Sequence, residues 1–157
     1  LSEALVCDGE RYVLYYKLQS FLGSMTGYNN EPGILFQTDH SEALLAWCAK
    51  YTLIAPERLM LMIPLYREDG FSDIVRKLID LYGEQEGVLT ALSCNMGSFS
   101  FIGSIVPLYE KQIKCIEGLS NNHSEKVRTW SVKMLTDLKK QIDIEKNRDA
   151  EGVLRDR

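Results

Sequence analysis

The stretch from His123 to Leu138 places Val127, Trp130, Ser131, Met134, Leu135 and Leu138 at alternating steps of three and one. That spacing lays them in one stripe along an α-helix and predicts a helix that packs on another helix. It should run from about 125 to near 149, the longest in the chain, with a charged end that frays past Gly152. Trp130 shares the stripe of Val127 and Leu135 and is expected to be buried against the preceding helix.

Similar patterns recur upstream. Thr38, Asp39 and Ser41 precede Glu42 and the series Leu44, Leu45, Trp47, Cys48, and side-chain oxygens there can cap the first free amides, so a helix is expected over about 40–51. Ala55-Pro56-Glu57 opens a second, because proline tolerates the first helical turn. Leu59, Met60, Ile63 and Leu65 supply its buried side, and Pro64 bends or closes it. Phe71-Ser-Asp73 opens a third, whose Ile74, Val75, Leu78, Leu81 and Tyr82 should face one way, with Gly83 as a left-handed terminator. Val88, Leu89, Ala91 and Leu92 mark a fourth helix ending near Asn95-Met-Gly97. Ile105, Leu108, Tyr109, Ile113, Ile116 and Leu119 mark a fifth, with Pro107 in its first turn, and Ser120-Asn-Asn-His-Ser124 makes the turn that follows. Tyr12, Val13, Tyr15, Tyr16, Leu18, Phe21 and Leu22 fit one more helix at the N-terminal end, although their β-branched and aromatic content also suits a strand.

The segments 41–65, 71–95 and 103–138 therefore read as three helix-turn-helix units with onsets roughly thirty residues apart. Units of that size bury their faces by stacking on neighbours. A chain of 157 residues suits one domain over 1–157, or a short array with a continuous core, and residues 150–157 read as a frayed tail. The beginning Leu1-Ser-Glu-Ala, with neither an initiator Met nor a secretion signal, suggests a fragment of a larger chain.

Composition narrows the function classes. Hydrophobic content of 45% beside 25% charged residues is that of a folded protein rather than a disordered one. The longest apolar run, Leu59 to Leu65, is far too short to span a bilayer. Residues 1–124 carry 9 basic and 15 acidic groups and would repel a phosphate backbone; residues 125–157 carry 9 basic and 7 acidic groups, interleaved as on a solvated helix face. No nucleic acid and no membrane partner are expected. Cys7, Cys48, Cys94 and Cys115 form no Cys-x-x-Cys pair, which suggests reduced thiols and a cytoplasmic location.

Val127, Arg128, Ser131 and Leu135 resemble the second helix of a HEAT repeat, where a Val-Arg pair is followed by a small residue and then a Leu. Val88, Leu89 and Leu92 match the same pattern less fully. The resemblance implies an all-α, right-handed α-α solenoid of about three helical hairpins plus an N-terminal helix, presenting a concave surface to a protein partner or to other domains of its parent chain. It further implies that Val127 and Leu135 are core, and that Arg128 joins an Asp ladder between units. The charged tail is also similar to the closing unit of repeat arrays in large bacterial multidomain proteins, including nucleotide-binding defence proteins.

Candidate chemistry is sparse. Asp39-His40-Ser41 holds the residue types of a hydrolytic triad, but consecutive residues at a helix start point apart, and capping accounts for them better. His40 and His123 are the only histidines, so no metal site and no cofactor are expected. Cys48 shares a face with Leu44 and Leu45 and reads as a small buried hydrophobe, while Met60, Met62 and Met96 read as core filler. Gly97-Ser-Phe-Ser-Phe-Ile-Gly103 lacks the Lys-Ser/Thr ending of a P-loop and reads as a linker. Its Phe99 and Phe101, with Tyr28 and Phe36 of the long connection 26–37, are the candidate partner contacts, because a few aromatic anchors dominate many interfaces. The reading that results is a non-catalytic interaction or scaffolding module. Its alternatives are a small helical enzyme or regulator with an acidic metal- or nucleotide-dependent site, and the sensor repeats of a defence protein.

Overall fold

The computed structural model describes residues 40–67, 70–99 and 103–155, with side chains through residue 150. The proposed N-terminal helix, the connection 26–37 and Phe101 lie outside the described residues. The described part is mostly helical: α1 (Ser41–Lys50), α2 (Ala55–Met62), α3 (Asp73–Tyr82), α4 (Glu86–Gly97), α5 (Val106–Glu117) and α6 (Glu125–Arg155). A short hairpin of β1 (Tyr66–Arg67) and β2 (Gly70–Phe71) joins α2 to α3. The all-α expectation holds apart from that hairpin.

Local chemistry explains the boundaries. Pro56 sits in the first turn of α2 and Pro107 in that of α5, where no intrahelical amide is needed. Ile63 leaves α2 with φ −76° and ψ 141°, the extended geometry forced on a residue that precedes proline, here Pro64. The hairpin turns through Gly70 at φ 140°, a conformation that suits glycine alone. Its stem is held by the stacked rings of Tyr66 and Phe71, whose centroids lie 5.8 Å apart, and by the Ser72 amide on the Leu65 carbonyl at 2.8 Å. Phe71 thus belongs to the strand rather than to the helix start.

By its packing the chain divides into two compact units, the first including 40–67 and 71–99, the second residue 70 and 103–155. In the first, α2 lies chiefly against α4, with lighter contacts of α1 on α2 and α3, and of α3 on α2 and α4. Leu59, Met60, Ile63, Val75, Leu78, Ile79, Val88 and Leu92 form its core, each at most 2% exposed. Met62 and Met96 join them, as expected.

Two expectations on α3 are corrected. Leu81 is 62% exposed while Ile79 is fully buried. Leu81 lies a heptad beyond Ile74 and about 20° behind it around the axis, on the side away from Val75 and Ile79, which carry the buried stripe. Gly83 keeps right-handed dihedrals, φ −64°, instead of the left-handed ones expected. Its amide still donates to Ile79 at 2.8 Å, and the chain leaves by a turn in which the Gln85 amide reaches the Tyr82 carbonyl.

In the second unit α5 packs along α6. Val127 and Ser131 are fully buried, and Leu138 and Ile142 nearly so, on steps of four, seven and four that keep a narrow line. Trp130, expected in the core, is half-buried, as are Met134 and Leu135. Within this unit α5 is the helix that packs along α6, and these three residues flank the narrow line that is buried. The helix continues to Arg155, past the end expected near 149.

Candidate functional site

The side-chain chemistry that the fold assembles serves mainly to finish helices. The last carbonyls of a helix lack intrahelical donors. At the end of α2 the amide of Asn95 supplies them, its Nδ2 donating to the Met60 carbonyl at 2.7 Å and to the Ile63 carbonyl at 2.9 Å. Asn95 comes from α4, so this one side chain ties the two helices that form the first unit's main interface. By sequence alone Asn95 marks only the expected end of the fourth helix. The signal that could have found it is a lone amide beside Leu92 and Met96 on an apolar face.

At the start of α4, a Cβ on Gly87 would collide with the carboxylate of Glu57 from α2. Glycine there lets α2 bring an acidic group to the helix N-terminus, where its charge opposes the helix dipole favourably.

Cys48 is fully buried on α1. Burial pushes its thiol up to about 12, so at neutral pH it is a protonated thiol, the opposite of what a nucleophilic cysteine needs. Tyr82 is also shifted upward, first by burial and then by the neighbouring Cys48. Tyr82 lies at the end of α3, a helix that packs lightly on α1. Cys94 and Cys115 are free thiols as well, the first exposed and the second buried.

His40 occupies the cap position of α1 and makes no side-chain capping hydrogen bond there. Thr38 and Asp39, also expected as caps, lie outside the described residues.

In the second unit the turn before α6 is closed by polar groups. The Ser124 hydroxyl accepts from the Val127 amide at 3.2 Å, and the Asn122 side chain accepts from the Ser124 amide at 2.9 Å. Ser124 is therefore the N-cap, with Asn122 forming an Asx turn in front of it. Arg128 Nη1 donates to the carbonyls of Asn122 and His123 at 2.7 and 2.9 Å. The guanidinium thus braces the turn that leads into its own helix. Ser131 donates its hydroxyl proton to the Arg128 carbonyl at 2.7 Å and so fits a fully buried position.

The far end of the same hairpin is pinned by Ser104, which donates to Asp149 at 2.7 Å. Lys146 stands 3.9 Å from Glu110, with both side chains more than half exposed.

Among the four candidate partner contacts, only Phe99 is described, and it is half-buried after the end of α4. Tyr28, Phe36 and Phe101 lie outside the described residues. Among the described residues no three His, Cys, Asp or Glu side chains are grouped as metal ligands, and no helix is long and apolar enough to cross a membrane. The largest exposed apolar groups are Leu53 at 87%, Leu81 at 62% and Val132 at 61%. No family model matches the chain, and no curated protein or solved structure matches it significantly.

Proposed function

We propose that this chain is a non-catalytic protein-interaction or scaffolding module of stacked helical pairs, similar to a HEAT array. The observation that carries the reading is the packing of α2 on α4, passing over α3. Contact between every second helix is how helical hairpins stack into a layered array, because each pair leaves one face to be covered by the next. Asn95, which bonds α4 to the end of α2, supports the same arrangement. The Cys48 thiol is held protonated at neutral pH by burial, and most of the polar groups described above act on helix ends and turns.

In this reading Phe99 and Phe101, with Tyr28 and Phe36, contact the partner. A cytoplasmic setting accompanies it, since free thiols persist in a reducing compartment. The test is a photoreactive phenylalanine analogue placed at position 99 or 101 and irradiated in the native host, with position 77, exposed on α3, as the control. A discrete crosslinked protein at 99 or 101 and none at 77 is the expected result. Nucleotide or ester hydrolysis that survives repurification and disappears with one carboxylate substitution would replace the scaffold reading with the enzymatic one.

A further inference from the structure

We draw no further inference here: the strongest candidate, the exposed apolar side chains of Leu53 after α1 and Leu81 at the end of α3 on the surface, carries nothing because nothing in the structure shows what covers them.

Discussion

At the residue scale, the side chains with the largest leverage are polar ones in apolar company. Asn95→Ala removes both donors from the end of α2 and should destabilise the protein by about 1–3 kcal/mol, since each lost bond leaves a carbonyl without its partner. A urea titration that showed an unchanged midpoint would assign that helix end another cap. Cys48 offers a test of burial through pH. Its folded value of about 12 lies above the ordinary 9.0, so the folded state holds a proton that the unfolded state releases first. The stability it contributes is fully present below pH 9.0 and is lost progressively as pH rises towards about 12. Cys48→Ala or Cys48→Val should flatten the alkaline limb of the stability curve; a limb of identical slope would mean that the thiol is not buried. At pH 8, thiol alkylation of the native protein should reach the exposed Cys94 before Cys48 or Cys115.

At the scale of elements, the narrow contact line of α6 alters what its large residues contribute. Trp130 flanks the buried line, so Trp130→Ala should cost about 1.5–2.5 kcal/mol, roughly half the loss for a fully buried tryptophan. Val127→Ala, at a position with no exposure, should cost about 2 kcal/mol despite removing far fewer atoms. Chemical denaturation of the two variants checks the comparison, and a tryptophan loss twice that of the valine would restore the core register expected from sequence. Ser124→Ala should cost about 1 kcal/mol by leaving the Val127 amide uncapped. Ser124→Asp should retain most of the capping, because a carboxylate accepts the same bond and suits the helix dipole.

At the scale of the whole molecule, the decisive relation is the one between helices that are not neighbours in sequence. The α2–α4 interface holds much of the first unit's core, with Leu59, Met60, Val88 and Leu92 almost without exposure. Leu92→Ala should therefore cost about 2–5 kcal/mol, read by thermal unfolding followed by circular dichroism. Under the proposed function, Phe99→Ala with Phe101→Ala should weaken partner capture about tenfold or more while helicity stays at the parent level. Retention of binding by that double variant would move the contact surface elsewhere on the chain.

The periodicity of the chain was enough to locate α1 to α6, because a buried stripe needs apolar residues at helical spacing and proline dictates where a helix can begin or stop. It also marked Cys48, Met60, Met62, Met96 and Val127 as interior. Tertiary structure decided how wide each stripe is: Leu81 and Trp130 sit on periodic positions, yet the neighbouring helices do not reach far enough round to cover them. Periodicity says which side of a helix is apolar but not the angle that a partner subtends. The structure likewise settled the roles of Asn95 and Arg128, whose hydrogen bonds depend on where main-chain carbonyls lie after folding. It also brought α2 to α4, since the choice between packing on the next helix and on the one after it depends on the turns and crossing geometry. Only the folded chain fixes those.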